Sequence, residues 1–142
     1  IFNYDEKAFV QDAVRAGVDG VIVPDLPPEE GGRLTGLARK GRLDTIFLTA
    51  PTSTGRRIAL ISKKSFGFIY YVSLTGVTGV RDDLSLTIKP MLSKIKAVTK
   101  KPVAVGFGIS TADQAARVSS WADGVVVGSA IVKIIEENSD KK

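Results

Sequence analysis

The chain has 142 residues, enough for one domain with its own core, and its composition of 44% hydrophobic and 25% charged residues is ordinary for a globular protein. It contains neither cysteine nor histidine, which excludes disulfides and removes the commonest general base and zinc ligand. The net charge is +5. The basic residues are scattered in predicted helices, which favours solvated helix faces or a weak field for an anionic ligand over a nucleic-acid surface.

Amphipathic helices and apolar strands alternate along the sequence. The first helix is predicted over 5–17, with Asp5 as its cap, Gly17 as its end, and Phe9 and Ala13 on its apolar face. The predicted strands cover 19–24, 44–50, 66–73, 101–107 and 123–128. The further predicted helices cover 29–41, 52–65, 84–100, 110–120 and 129–138. In the helix over 84–100, Pro90 suits the first turn, so the firm part of the helix is expected to begin near Ile88 or Lys89. The helix over 110–120 opens with a Ser110…Asp113 capping pattern.

This alternation predicts an α/β fold of about five parallel strands with helical crossovers. The strands are apolar nearly throughout, which predicts that both faces of the sheet are covered. A doubly wound sheet and part of a (β/α)8 barrel both fit, because five strands do not close an eight-stranded barrel. No apolar run approaches the ~18 residues of a membrane-spanning helix.

Glycine follows each of the last three predicted strands, in "SLTGVTGV", "GFGIS" and "GSAIV". Ligands of parallel α/β folds bind at the carboxyl ends of the strands. Gly128 and Ser129 open directly into a helix, whose first N–H groups attract anions, and Gly108 lies in the neighbouring loop. These residues form either a phosphate cup or ordinary strand-to-helix turns.

Two other strand ends carry polar groups. Asp25 is the only carboxylate directly at the carboxyl end of a predicted strand, and the Leu-Pro-Pro that follows favours a turn or an interface over catalysis. Tyr70 and Tyr71 alternate along their strand, so one is expected to face the helices and the other the interior of the barrel.

Taken together, "IFNY", "VDGVIVPDLPPEE", "FIYYVSLTGVTGVR", "KPVAVGFGIS" and "DGVVVGSAIVKIIE" resemble the tryptophan synthase alpha subunit family. These segments run from end to end of the chain. The resemblance implies a partial TIM (β/α)8 barrel, in which residues 1–142 form a single partial domain supplying strands 4 to 8. Strands 1 to 3 and the last helix would be missing, and the first residue, Ile1 rather than Met, agrees with a segment of a longer chain.

The resemblance also implies binding residues. The substrate phosphate would meet the N–H groups of Gly79, Gly108, Gly128 and Ser129. The indole would lie against Ile22, Leu48, Tyr70 and Phe107. Thr78 matches a threonine of the family's lid, beside which this chain has Leu74 where some members carry arginine.

By the same resemblance, the family cleaves indole-3-glycerol phosphate to indole and glyceraldehyde 3-phosphate, a carbon–carbon lyase reaction of tryptophan biosynthesis. The family's catalytic Glu and Asp lie upstream of Ile1, so the segment alone carries no catalytic residue and is expected to be inactive. Asp25, Pro27, Glu29 and Glu30 match a surface that faces the beta subunit. Pyridoxal phosphate belongs to that partner, so no cofactor or metal is expected here, nor any nucleic acid or membrane.

The location implied is the bacterial cytoplasm or the plastid stroma. Two alternatives remain: another sugar-phosphate-binding TIM-barrel enzyme, or an inactive or engineered half-barrel fragment. The loop "LTGVTGVR" favours the alpha subunit over the first of these. A five-strand piece exposes sheet edges, which predicts self-association of the fragment.

Overall fold

The computed structural model describes residues 1–73, 84–106 and 108–139. A 3-10 turn at Phe2–Tyr4 precedes helices that are α1 (Glu6–Arg15), α2 (Gly32–Gly41), α3 (Gly55–Lys64), α4 (Leu84–Lys96), α5 (Ala112–Ser119) and α6 (Ser129–Asn138). The strands are β1 (Gly20–Ile22), β2 (Asp44–Ile46), β3 (Leu48–Thr49), β4 (Ile69–Val72), β5 (Val103–Gly106) and β6 (Gly124–Val126). The alternation of helices and strands expected from the sequence is confirmed.

The strands pair in parallel and in chain order. β1 pairs with β2, and β3, β4, β5 and β6 form a four-stranded sheet in that sequence. The connections from β3 onward pass through a helix, so the chain winds in one direction and adds each new strand at the same edge. Their carboxyl ends therefore lie along one edge of the sheet, where the loops that follow them are neighbours.

The predicted strand 44–50 is split in two at Phe47. The backbone N–H of Phe47 donates to the buried Ser65 hydroxyl over 3.1 Å, while its carbonyl accepts from the Tyr70 N–H over 3.3 Å. The Phe47 N–H therefore makes no hydrogen bond to a neighbouring strand. The segment pairs with β1 before Phe47 and with β4 after it. Five predicted strands thus appear as six.

The two faces of the four-stranded sheet have different surroundings. Ile69, Tyr71 and Val105 are at most 1% exposed and belong to the main core cluster. The helical members of that cluster come from α3, α4 and α5, and they are Ile58, Ile61, Ile88, Met91, Leu92, Ile95 and Val118. On the opposite face Tyr70 and Ala104 are half-buried. The expectation that both faces are covered is therefore wrong for the described residues, because the helices pack on one side.

This one-sided layering distinguishes the two fold classes left open by the sequence. A doubly wound sheet has helices on both faces, whereas a barrel keeps them outside and turns its other face inward. The arrangement is an α/β fold consistent with part of a (β/α)8 barrel. Tyr71 faces the helices and Tyr70 faces the interior, as the alternation along the strand predicts.

A second, smaller core lies beneath α1 and α2. It consists of Val10, Leu34, Ala38 and Leu43, with Phe9 and Ala13 of the predicted face packed against it. Leu26, in the loop after β1, packs against both this cluster and the main core. That loop is therefore held from two sides.

The helix ends depend on a few side chains. Asp5 caps α1 by accepting from the N–H groups of Lys7 and Ala8, and Gly17, at φ +78°, follows its end, as predicted. The predicted Ser110…Asp113 cap of α5 is wrong by one residue. Thr111 and Gln114 instead form the capping box.

Two other helix starts differ from their predictions. α4 begins at Leu84, ahead of the expected Ile88 or Lys89, and therefore contains Pro90 in its interior. α2 begins at Gly32 and not at residue 29, because the Pro27 carbonyl accepts the N–H groups of Glu30 and Gly31 and forms a turn there.

Candidate ligand site at the carboxyl ends of the strands

The loops after β5 and β6 bring glycines together at the carboxyl edge of the sheet. Gly106 pairs with Val126 in the parallel register, and Gly108 and Gly128 each follow two residues later. Gly108 has φ +75°, a conformation that side chains disfavour, whereas Gly128 has open space where a Cβ would lie. The sequence-predicted residues Gly108, Gly128 and Ser129 are therefore exposed at the ends of two neighbouring strands, and Ser129 is the first residue of α6.

Gly128 is the N-terminal cap of α6, a helix of ten residues. Its carbonyl accepts from the N–H groups of Ile131 and Val132 over 2.9 and 3.2 Å, which fixes the first turn. The N–H groups of Ser129 and Ala130 belong to the start of the helix and have no acceptor within it. With the positive end of the helix dipole, this turn is suited to an anion such as phosphate.

Leu48 and Tyr70 lie side by side on the interior face, since they are register partners across β3 and β4. Ile22 ends β1, and because its neighbours Val21 and Val23 pack on the α1–α2 cluster, the Ile22 side chain points to the opposite face. Ile22 is 39% exposed. The interior face thus carries the half-buried Leu48 and Tyr70 and the more exposed Ile22.

Gly106 allows Tyr70 to reach this position. A Cβ on Gly106 would lie 2.5 Å from the Tyr70 hydroxyl and 2.8 Å from the Val126 Cβ. Burial raises the pKa of the Tyr70 phenol, so the neutral form, a hydrogen-bond donor, predominates at the site. In the sequence, Gly106 is visible only as the first glycine of the motif "GFGIS".

Ser73 joins the ends of β4 and β5. Its N–H and its hydroxyl both donate to the Gly106 carbonyl, over 3.0 and 3.2 Å, and the side chain is buried. It is the first residue of the "SLTGVTG" loop, of which Leu74, Thr78 and Gly79 lie outside the described residues. Phe107, predicted to contact indole, also lies outside them.

Two cavities flank Leu48 at this edge. The larger, of about 580 Å³, is lined by Leu48, Thr49, Ala50, Thr52, Ser53, Thr54, Arg57 and Val72. The smaller, of about 350 Å³, is lined by Pro24, Asp25, Leu26, Pro27, Pro28, Phe47, Leu48 and Arg57. A further cavity of about 550 Å³ lies between α1 and α2 and has no strand end in its lining, so it is no part of this site.

The comparisons with known proteins agree with this geometry. The family model for the tryptophan synthase alpha chain matches residues 1–142. The chain belongs to the tryptophan synthase alpha chain family. Relatives named tryptophan synthase alpha chain include those of Geotalea uraniireducens, 52% identical over 137 residues, and Synechococcus elongatus, 49% identical over 138 residues. Each alignment covers 96% of this chain and 51% and 52%, respectively, of the relative, so the chain spans about half the length of the curated relatives it matches.

Chains of solved tryptophan synthase structures superpose closely on the described fold. Tryptophan synthase from Mycobacterium tuberculosis in space group F222 matches with a TM-score of 0.87 at 41% identity, covering 96% of this chain and 52% of that one. The α2β2 complex of tryptophan synthase from Pyrococcus furiosus matches with a TM-score of 0.86 at 39% identity, covering 97% and 56%. These matches support a partial barrel and the membership of this chain in a lyase family of tryptophan biosynthesis.

The loop that the family resemblance assigned to a partner interface forms an exposed turn. Asp25 is in a turn closed by the Leu26 N–H and the Val23 carbonyl, 3.1 Å apart, as its Leu-Pro-Pro context predicts. Glu29 and Glu30 are exposed, and Pro27 is half-buried. The Glu29 carboxylate forms an ion pair with Arg57, and its own backbone N–H together with Arg57 lowers the pKa of that carboxyl.

In residues 1–73, 84–106 and 108–139, no three His, Cys, Asp or Glu side chains come together as metal ligands. Over the same ranges, the helices are too short or too polar to cross a bilayer.

The sequence analysis did not predict the role of Arg57 as the partner of Glu29. Nothing in a helical Arg-Arg pair indicates which of the two side chains faces a carboxylate.

Proposed function

We propose that this chain forms the phosphate-binding part of an alpha subunit that cleaves indole-3-glycerol phosphate to indole and glyceraldehyde 3-phosphate. The observation that carries the proposal is the pair of glycine loops after β5 and β6, since these neighbouring strands are in register at Gly106 and Val126, two residues before Gly108 and Gly128. Family membership supports the choice of substrate over that of another sugar-phosphate barrel.

In this proposal the phosphate accepts hydrogen bonds from the backbone N–H groups of Gly79, Gly108, Gly128 and Ser129. Glycine suits the first three positions, because a phosphate oxygen approaches the backbone there without meeting a side chain. The positive end of the α6 dipole adds a favourable interaction with the dianion. The lid threonine, Thr78, precedes the first of these donors.

The indole ring would lie on the interior face against Ile22, Leu48, Tyr70 and Phe107. The open, half-buried surface around Leu48 and Tyr70 supports this placement. Proton transfer to the ring and from the glyceryl hydroxyl requires an acid and a base. We assign these roles to carboxylates of the family that precede Ile1, so residues 1–142 alone bind without catalysing.

The partner in this proposal is a tryptophan synthase beta subunit, which meets the loop containing Asp25, Pro27, Glu29 and Glu30. The match to an α2β2 complex and the exposure of this loop support it. Pyridoxal phosphate would belong to the partner, and the alpha chain would need no cofactor. The compartment would be the cytoplasm, as the bacterial origin of relatives suggests.

The test is substitution of Gly128 by Asp in the natural polypeptide that carries this sequence. Aspartate is a good helix cap, and its Cβ meets nothing within 4 Å, so the fold is expected to persist. Its charge would repel the phosphate, and we expect the affinity for indole-3-propanol phosphate to fall by about tenfold or more. Calorimetric titration measures the dissociation constant.

Gly128→Asn is the matched control, because it caps the helix equally well without the charge. It should retain most of the affinity. Equal affinities of Gly128→Asp and Gly128→Asn would contradict the phosphate site, and equal melting temperatures would show that neither change unfolds α6.

A further inference from the structure

Two buried threonine side chains lie between α2 and β2. Thr35 belongs to the buried side of α2, together with Leu34 and Ala38. Thr45 is the middle residue of β2 and the register partner of Val21, whose side chain packs on the cluster beneath α1 and α2. Register partners in a sheet point to the same side, so the Thr45 side chain points toward that cluster as well. The two threonines are 9% and 4% exposed.

Neither hydroxyl forms a hydrogen bond within the part of the chain that the structure describes. A buried hydroxyl without a partner destabilises the folded state, and the large majority of buried polar side chains are paired with protein atoms or ordered water. A threonine inside a helix commonly donates to the carbonyl four residues earlier, which for Thr35 is that of Gly31. That carbonyl accepts the Thr35 N–H over 2.9 Å, but it does not accept the hydroxyl. The two hydroxyls are therefore available to a bound molecule.

The two threonines line the same small cavity. Its remaining walls are apolar, and they are formed by Val21, Val23, Leu26, Leu34, Ile46 and Phe47. The cavity has a volume of about 10 Å³, which is the lower limit for one water molecule and excludes an organic ligand or a hydrated ion. Its size and its two polar points thus fit water and nothing larger.

Water also fits the chemistry of the two hydroxyls. Each hydroxyl both donates and accepts hydrogen bonds, so one water molecule can donate to one Oγ1 and accept from the other. Buried waters typically make about two to four hydrogen bonds to polar groups that lack other partners, whereas dry cavities are apolar. A cavity with two unpaired hydroxyls in its wall is therefore expected to be hydrated.

We propose that one water molecule is bound in this cavity, where it bridges the Thr35 and Thr45 hydroxyls and joins α2 to β2. Leu26 and Phe47 are also in the wall, so the water lies beneath the loop that follows β1. That loop rests on the same aromatic ring, because a Cβ on Gly31 would lie only 2.9 Å from the Phe47 ring. The water thus supports the surface on which the loop packs. This inference is independent of the proposed function, since it involves neither the phosphate nor the partner subunit.

The direct test is a high-resolution crystal structure of the natural polypeptide that carries this sequence. We expect one ordered water within about 2.5–3.0 Å of the Oγ1 atoms of both threonines. A cavity without density would overturn the proposal. So would a structure in which the Thr35 hydroxyl donates to the Gly31 carbonyl, or in which the two hydroxyls bond directly to each other.

Substitution tests the same site in solution. Thr35→Val and Thr45→Val each replace a hydroxyl by a methyl group of similar shape and leave the water with a single threonine partner. We expect each change to lower the melting temperature of the natural polypeptide by about 2–4 °C. Without a bound water the sign would be opposite, because removing an unpaired buried hydroxyl stabilises the fold. Differential scanning calorimetry measures the shift.

The double variant Thr35→Val with Thr45→Val removes both hydroxyls and should leave the cavity dry. No polar group is then left unpaired, so we expect a smaller loss of melting temperature than the sum of the two single losses. Thr49→Val is the matched control. Thr49 is also buried and without a hydrogen-bond partner among the described residues, but it does not line this cavity. Its shift should add to that of Thr35→Val.

The calorimetric and crystallographic results decide the proposal together. Single variants that raise the melting temperature, or single losses that add fully in the double variant, would overturn the bound water. Losses that do not add, in a protein whose crystal structure has no water at this position, would show a direct bond between the hydroxyls and would overturn it as well. The phosphate site is unaffected by these outcomes, because Gly128→Asp tests it separately.

Discussion

Gly106 shows how one residue shapes the interior face of this partial barrel. The absence of a Cβ there leaves room for the Tyr70 hydroxyl, which in turn lies next to Leu48 in the predicted indole pocket. The sequence placed a glycine at the carboxyl end of a predicted strand. The side chain that requires a glycine there, Tyr70, lies on a strand more than thirty residues earlier in the chain. Such long-range steric requirements become visible only when the strands are in register.

We predict that Gly106→Ala destabilises the chain by about 1–3 kcal/mol, because the new methyl group overlaps Tyr70 and Val126. The free energy of unfolding from urea denaturation measures this. Tyr70→Phe removes the closest clashing atom and should reduce the cost of Gly106→Ala in a double-mutant cycle.

Gly36→Ala serves as the control for this prediction. Gly36 lies inside α2 with nothing within 4 Å of its missing Cβ, so alanine should stabilise the chain by about 0.5–1 kcal/mol. A Gly106→Ala protein that unfolds at the wild-type urea concentration would contradict the close approach of Tyr70.

At the scale of elements, the sequence predicted the strand and helix order correctly and several of the helix boundaries incorrectly. Helix and strand periodicities are local, so they can be read without the fold. The break at Phe47 is not local, because it depends on the hydroxyl of Ser65 from the end of α3. The start of α5 was missed for a different reason: Ser110 and Thr111 are both good caps, and backbone geometry selects between them.

We predict that Thr111→Ala destabilises the chain by about 1 kcal/mol, because it removes one half of the capping box with Gln114. The capping pattern first inferred from the sequence would instead make Asp113 the important partner. Thermal and urea unfolding of Thr111→Ala and Asp113→Ala discriminate between the two.

Asp113 lies in the first turn of α5, where its charge interacts with the helix dipole. We therefore expect Asp113→Ala to cost less than Thr111→Ala. A larger loss of stability for Asp113→Ala than for Thr111→Ala would favour the Ser110…Asp113 cap inferred from the sequence.

At the scale of the whole molecule, α6 is the least covered α-helix of the described residues. None of its residues is buried, and its large apolar side chains are half-exposed or more, namely Ile131, Val132, Ile134 and Ile135. The strands at the two ends, β1 and β6, each pair on one side in the described structure. Exposed apolar surface and free strand edges both favour association.

We predict that the 142-residue chain by itself self-associates with rising concentration, and that Ile131→Glu with Ile135→Glu weakens this. Both side chains lie on one face of α6, four residues apart. Sedimentation velocity at increasing concentration measures the change in mass. Ser139→Glu, which adds a charge just beyond the helix, is the control and should associate like the wild type.

A chain that stays monomeric at high concentration would contradict this prediction. It would mean that the half-exposed interior face and α6 are tolerated in water by the isolated segment. Hydrogen exchange of the α6 amides would then show whether the helix is stably formed without a cover.

The sequence by itself determined the α/β class, the order of the elements and the position of the glycine loops, because these depend on periodicity and on residue types at neighbouring positions. It also carried enough of the family's motifs to indicate the tryptophan synthase alpha chain family, which the comparisons confirm. The tertiary structure decided that the helices cover one face of the sheet, that Phe47 interrupts a strand, and that Gly106 makes room for Tyr70. It also decided that Arg57, and not Arg56, meets Glu29. These features depend on contacts between segments far apart in the chain, which a local pattern does not encode.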